Sequence, residues 1–231
     1  LLQFGRELYT LTDGQVNILY GSVLSLWHDA RTEALDDPAH AKLPDEAALA
    51  EAAKHTDIGG LVIDEENGTV RLTDPLSRID VGAIAKGYIA DRIAELLLEN
   101  GQDSAIISLG GNIVCVGSKG NSDFHVGIKS PDRDTNDTVA VVGVRDRSVV
   151  TSGIYERNFT ENGVTYHHII NPETGKPAES GLVSVTVVCS DAASADALST
   201  ALFVMGADKA EKLCAKAFSA ALSSSTPSDR T

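Results

Sequence analysis

The sequence predicts an α+β fold, a single domain of mainly antiparallel strands flanked by helices, on three observations. Apolar residues recur at helical spacing towards both ends of the 231-residue chain. Between them lies a block of short apolar segments separated by glycine and polar turn residues, the pattern of hairpin-linked strands. Helices and strands are segregated along the chain instead of alternating, which distinguishes α+β from βαβ architectures.

The elements follow in order. Leu1 to Leu11 reads as a helix, Thr12-Asp13-Gly14 as a turn, and Gln15 to Trp27 as a second helix. The polar stretch from Arg31 to Pro44 reads as a loop, and Pro44 then opens an Ala- and Glu-rich surface helix, Asp45 to Lys54. Leu61-Val62-Ile63 and Thr69-Val70-Arg71-Leu72 flank Glu66-Asn67-Gly68, a strong hairpin signal. Asp80 to Asn100 reads as a glycine-containing turn running into an amphipathic helix stopped by Gly101. Strands are expected at 104–109, 113–116, 124–129, 139–144, 149–154, 165–170 and 182–189. Helices from Ala192 to Met205 and from Ala207 to Leu222 close a domain spanning 1–222, and the Ser-rich segment 223–231 is expected to be disordered.

With 42% hydrophobic residues the chain is long enough to bury a core. The net charge of -14 argues against non-specific binding of nucleic acid or of an anionic membrane. So acidic a protein needs local cations if it handles phosphates. Cys115, Cys189 and Cys214 show no metal-type spacing and give no disulfide framework. The opening Leu1-Leu2-Gln3 reads as the interior of a helix, so the natural N-terminus is expected upstream, and no apolar run is long enough to span a membrane.

Four segments carry chemistry. In Ser194 to Phe203, Asp196 and Thr200 stand four residues apart on one helical face. A carboxylate with a hydroxyl is hard-oxygen ligation suited to Mg²⁺; the alternative is an acidic residue favoured by the helix dipole. In Asp80-Val81-Gly82-Ala83-Ile84-Ala85-Lys86-Gly87-Tyr88, two glycines and a lysine at a helix start suit a phosphate or a purely structural turn, and the spacing is not that of a P-loop. Ser108-Leu109-Gly110-Gly111-Asn112 is a tight turn or a bare backbone against which a ligand packs. Finally, Thr151 to Arg157 is followed by Tyr166-His167-His168-Ile169-Ile170-Asn171-Pro172; adjacent strand histidines face opposite ways, so only one of them serves a given site.

Together these segments resemble the ApbE family of FAD:protein FMN transferases. Its D-x-G-x-x-x-K-G-Y, L-G-G-N, S-G-x-Y-E-R, H-I-x-x-P-x-T-G and A-D-x-x-x-T-A segments all occur in order between Asp80 and Ala201, and Thr12-Asp13-Gly14 and Leu26-Trp27 also look like its N-terminal region. The resemblance implies a Mg²⁺-dependent α+β enzyme that cleaves FAD, transfers FMN to a Thr or Ser hydroxyl of an acceptor flavoprotein, and releases AMP. It implies Asp196 and Thr200 as metal ligands, with Ala83 matching a position that lends a backbone carbonyl. His168 matches the active-site histidine. Lys86 would lie near phosphate, Asp80 near the nucleotide, and Gly110, Gly111, Ser152 and Gly153 along the flavin nucleotide pocket. The N-terminal export region and the closing C-terminal strand of the family are not evident here. An extracytoplasmic, lipid-anchored protein is nevertheless what the resemblance implies. Hydrolysis of FAD to FMN and AMP, and FAD binding without chemistry, are the competing readings; nothing in these residues supports the family's older label of thiamine metabolism.

Overall fold

The computed structural model describes residues 1–132, 135 and 137–224, with side chains described only as far as residue 215. Helices α1 (Leu2–Leu11), α2 (Gly21–Asp36) and α3 (Glu46–Ala52) precede a hairpin of β1 (Leu61–Asp64) and β2 (Thr69–Leu72). Helix α4 (Ala85–Glu99) follows, then β3 (Ala105–Leu109), β4 (Asn112–Val116), β5 (Phe124–Lys129), β6 (Thr138–Val144) and β7 (Arg147–Gly153). Strands β8 (Asn158–Glu161), β9 (Val164–His167), β10 (Ile170–Asn171), β11 (Lys176–Pro177) and β12 (Ser184–Cys189) lead into α5 (Ala192–Met205) and α6 (Ala207–Ser224). The expected α+β class holds, and the named strands pair antiparallel. Among the described residues no helix is long and apolar enough to cross a membrane.

The largest sheet has the order β12-β7-β4-β3, and its two faces bury different partners. Side chains alternate along β4: Val114 and Val116 pack with Ala90 of α4 and Ala192 of α5, while Cys115 packs with Phe124, Val126 and Val144 of the β5–β6 hairpin. All three cysteines are free thiols, and burial pushes the Cys115 thiol up. Asn112, Val114 and Val116 share the face that meets α4 and α5.

Helix α5 is buried nearly all round, with ten buried residues, five of them alanine. Its first amides are met by two carboxylates. Asp191 accepts from the Ser194 N–H at 2.8 Å, and Asp91 of α4 accepts from the Ala192 and Ala193 N–H groups at 2.8 and 2.9 Å. Such small residues let α4 and α5 approach closely. A Cβ on Gly87 would stand 2.2 Å from the Ala192 carbonyl oxygen.

Several expectations are corrected. The second helix starts at Gly21, not Gln15, because 16–19 passes into the core as a bend and a turn, with Val16, Ile18 and Leu19 buried and Ile18 O accepting from Asp80 N–H at 2.8 Å. It continues to Asp36 through the supposed loop, because Val23, Trp27, Ala30 and Ala34 keep one buried stripe, while His28, Asp29, Arg31, Thr32 and Glu33 beside it are polar. The strand expected at 165–170 breaks at His168 into β9 and β10, whose partners are different strands. Strand β8, with Phe159 its one buried side chain, was not anticipated. Of the segment expected to be disordered, Ser223 and Ser224 continue α6, and 225–231 lie outside the described residues.

Replacing Gly87 with Ala should force the α4 and α5 backbones apart, since the atoms it meets are main chain. We expect a loss of about 3 kcal/mol in urea unfolding. A change below about 1 kcal/mol would show that the helices slide freely.

Candidate active site

A cavity of about 350 Å³ opens between α2, the start of α4, the end of β7, the β8–β9 hairpin and α5. That is within the roughly 300–1,000 Å³ of small-molecule sites. Asp80, Ala83, Lys86, Gly110, Ser152, Gly153, His168, Asp196 and Thr200 all line it.

One end is organised around Asp196, only 3% exposed although it carries a carboxylate. Its Oδ2 accepts from the Gly87 N–H at 3.0 Å, and its Oδ1 lies 3.7 Å from Lys86 Nζ. Burial raises its pKa; Lys86, the Gly87 N–H and Asn112 oppose that without cancelling it. Lys86 in turn donates to Gly110 O at 3.5 Å and to Asn112 Oδ1 at 3.4 Å. Asn112, fully buried, presents its amide group towards Asp196 closely enough to favour the ionised acid, although Nδ2 completes no hydrogen bond of good geometry. Asn112 closes the L-G-G-N segment but was not among the expected site residues. Its parity with Val114 on β4 was the available signal.

Thr200 shares the Asp196 face as the spacing predicts. Its hydroxyl lies 3.3 Å from the Asp196 carbonyl oxygen and 3.2 Å from Ser152 Oγ, which is itself 2.8 Å from Ser199 Oγ. No group of three or more His, Cys, Asp or Glu side chains converges among the described residues. Metal binding here would therefore use one carboxylate with hydroxyl and carbonyl oxygens. Those donors fit Mg²⁺: the Asp196 carboxylate, the Thr200 hydroxyl and Ala83 border the same space.

The glycine expectations divide. Gly82 N–H donates to Asp80 Oδ1 at 2.7 Å and Gly87 N–H to Asp196, so neither amide is left to cradle a phosphate. Gly110 borders the cavity, whereas Gly111 does not line it. Both adopt positive φ (53° and 94°) as the two-residue turn joining β3 to β4, so the turn demands Gly111 and no ligand contact is needed to explain it.

The two histidines also divide. His167 is saturated, donating from Nε2 to Ala178 O at 3.2 Å and accepting from Ile169 N–H at 3.3 Å, with its ring edge-on to Phe203. His168 follows the end of β9 and turns into the cavity. Its Nδ1 donates to Arg157 O at 3.1 Å, which leaves Nε2 as the acceptor. Burial pushes its pKa down to about 4, and the Arg157, His167 and Arg31 charges push the same way. The surrounding protein and the exposed residue surface pull in opposite senses here, because the cavity side of the ring stays wettable; the downward direction and a neutral ring near pH 7 hold in either case.

The wall opposite joins Trp27, Tyr166 and Arg157, which lie in the motif segments without an assigned role, to Phe159 and Arg31, which lie outside them. Trp27 stacks at 6.1 Å on Tyr166, which stacks at 5.7 Å on Phe159, and Trp27 Nε1 donates to Gly175 O at 2.8 Å. Arg31, one turn beyond Trp27, and Arg157, at the edge of β8, border the cavity beside them. Burial pushes the Tyr20 hydroxyl up to about 12.

Residues 1–222 match the ApbE family. The chain is 39% identical to the FAD:protein FMN transferase of Treponema pallidum over 88% of this chain and 61% of that protein. It is 34% identical to an FAD:protein FMN transferase of Klebsiella pneumoniae, over 90% of this chain and 62% of that one. It thus spans about three fifths of the length of these curated relatives. Among solved structures it resembles the ApbE protein of Thermotoga maritima, with a TM-score of 0.81 and 33% identity over 92% of this chain and 66% of that one. The flavin transferase ApbE of Vibrio cholerae superposes with a TM-score of 0.75 and 27% identity, over 92% of this chain and 65% of that one.

Burial works against the ionised form of Asp196, whose pKa in the folded chain is raised above the ordinary value of 3.8. Asp196→Asn should therefore be at least as stable as the parent at pH 7. Its advantage should grow as pH rises from that ordinary value and level off above the raised pKa. Denaturant midpoints of both proteins between pH 4 and pH 8 check this, and an advantage that grows towards acid would contradict it.

Proposed function

The chain belongs to the ApbE family, and from that premise we propose that it is a Mg²⁺-dependent transferase moving FMN from FAD to a Thr or Ser hydroxyl of an acceptor flavoprotein, with release of AMP. One observation carries the reading: a single cavity holds the hard-oxygen set of Ala83, Asp196 and Thr200 together with a neutral histidine whose Nε2 has no hydrogen-bond partner among the described residues. The activities of the named relatives support it, and so does the order of the shared motifs.

Each residue has a task in this reaction. Mg²⁺, when bound by Asp196, Thr200 and the Ala83 carbonyl, would supply charge neutralisation at the FAD pyrophosphate. Gly87 N–H and Asn112 hold the Asp196 carboxylate in one orientation, and Lys86 balances its charge. His168, fixed as the Nδ1–H tautomer by Arg157 O, accepts the proton of the acceptor hydroxyl at Nε2. The hydroxyl oxygen then bonds to the FMN phosphorus as the bond to the AMP oxygen breaks. Ser152 and Thr200 share a hydroxyl network at the floor of the cavity, and that network keeps Thr200 Oγ1 oriented.

Two outcomes test this. Incubated with FAD, Mg²⁺ and an acceptor flavoprotein, the protein should raise the acceptor's mass by one phosphoester-linked FMN. Asp196→Ala or EDTA should abolish the gain, and free FMN with an unmodified acceptor would instead identify a pyrophosphatase. Because the neutral form of His168 is required and its pKa is pushed to about 4, kcat/KM should hold from pH 8 to about pH 5 and fall only below that. An acid limb near the ordinary histidine value of 6.5 would show that the cavity does not lower the His168 pKa, and an unchanged kcat/KM in His168→Gln would remove His168 as the base.

A further inference from the structure

The cavity holds two guanidinium groups with nothing to bind. In a chain of net charge -14, Arg31 and Arg157 border the same cavity, and among the described residues neither makes an ion pair or donates a side-chain hydrogen bond. Arg31 Nε is buried without a partner. Removal from water weakens the hold of Arg31 on its proton, and the nearby Arg157 charge weakens it further. Unsatisfied buried donors and adjacent like charges both oppose folding, so this arrangement is stabilised by an oxyanion placed between the forks.

The frame around the pair is rigid. Arg31 stands four residues after Trp27 on the same face of α2, and Trp27 is anchored by stacking on Tyr166 and by its bond to Gly175 O. Arg157 is fixed at its carbonyl, which accepts both the N–H of His168 at 3.0 Å and its Nδ1–H. Lys86, the cavity's other permanent cation, already faces Asp196. Asp80 and Glu156 also line the cavity, but among the described residues neither forms an ion pair with Arg31 or Arg157, so both guanidinium forks stay open to an anion.

We propose that Arg31 and Arg157 form a phosphate-binding subsite, distinct from the Asp196–Lys86 cluster, that takes a phosphate of the AMP half of the flavin nucleotide. The identity of that nucleotide rests on the transferase reading; the phosphate chemistry rests on the arginines. Two guanidinium groups match a dianionic phosphate or the two charges of a pyrophosphate, whereas one bidentate arginine is enough for a carboxylate. The same phosphate is present in bound FAD and in free AMP.

Calorimetric titration in EDTA, without acceptor, tests the subsite separately from transfer. The probes are FAD, AMP, adenosine and riboflavin, and the proteins are the parent chain, Arg31→Gln, Arg157→Gln and Arg31→Lys. Each Gln variant should bind AMP at least about tenfold more weakly, with adenosine and riboflavin changed by less than about twofold. Arg31→Lys should fall between parent and Gln variant, because it keeps the charge and loses the fork. An equal loss for FAD places the subsite on bound substrate, and a loss confined to AMP places it on the released product; both support it. Unchanged AMP affinity in both Gln variants, an equal loss for adenosine, or no AMP affinity in the parent would overturn it. So would unchanged nucleotide affinity with impaired transfer, which would assign the arginines to the acceptor. Absence of transfer in the parent with AMP binding as expected would remove the transferase reading and leave the subsite.

Discussion

The bond from the Gly87 N–H to Asp196 Oδ2 is the contact on which the rest of this architecture turns. It exists because α4 and α5 meet through glycine and alanine, with no side chain to hold their backbones apart. That closeness lets a main-chain amide of one helix solvate a carboxylate buried in another. It also sets Lys86, the neighbour of Gly87, across from the second oxygen of the same acid. Asp91, one turn further along α4, caps α5 from the same side. A buried acid on an otherwise apolar helix is thus tolerated through its surroundings, at a net cost that a purely structural helix would have no reason to bear.

The cavity that results is electrostatically divided. At the α4–α5 end, oxygen donors surround a carboxylate and a lysine in near balance. At the α2 and β8–β9 end, aromatic rings pack beside a neutral histidine and two arginines that form no ion pair among the described residues. Such a gradient orients a molecule that is itself divided between phosphate and ring systems. Ser152 and Gly153, at the close of β7, lie where the sheet enters this space, so the strand fixes the separation of the two ends.

Much of this was legible in the residues. Asp196 and Thr200 announced themselves by a spacing of four on an apolar helix, and the central strands by their short apolar runs between turn residues. What stayed hidden was set by tertiary contact. Arg31 lay in a polar stretch that read as loop, because a helix with one narrow buried stripe is mostly polar by composition. The glycine amides at 82 and 87 looked available for a phosphate, and only the fold reveals that Asp80 and Asp196 use them. His167 and His168 were separable in principle by strand parity, but which of them faced the ligand depended on Ala178 and Phe203, residues distant in sequence.

The Trp27 bond to Gly175 O joins residues 148 positions apart. The aromatic wall and the loop following His168 thus come into register only once most of the chain has been synthesised and collapsed. Contacts of such separation are slow to form, because the entropy of closing the loop is lost before any packing is gained. The α4–β3–β4 unit, by contrast, is local in sequence and joined by a two-residue turn. The site therefore ripens late in folding, on a scaffold that stands before it. A chain interrupted before Gly175 would own the acidic helix partner Lys86 and the central hairpin, yet have no closed room in which to use them.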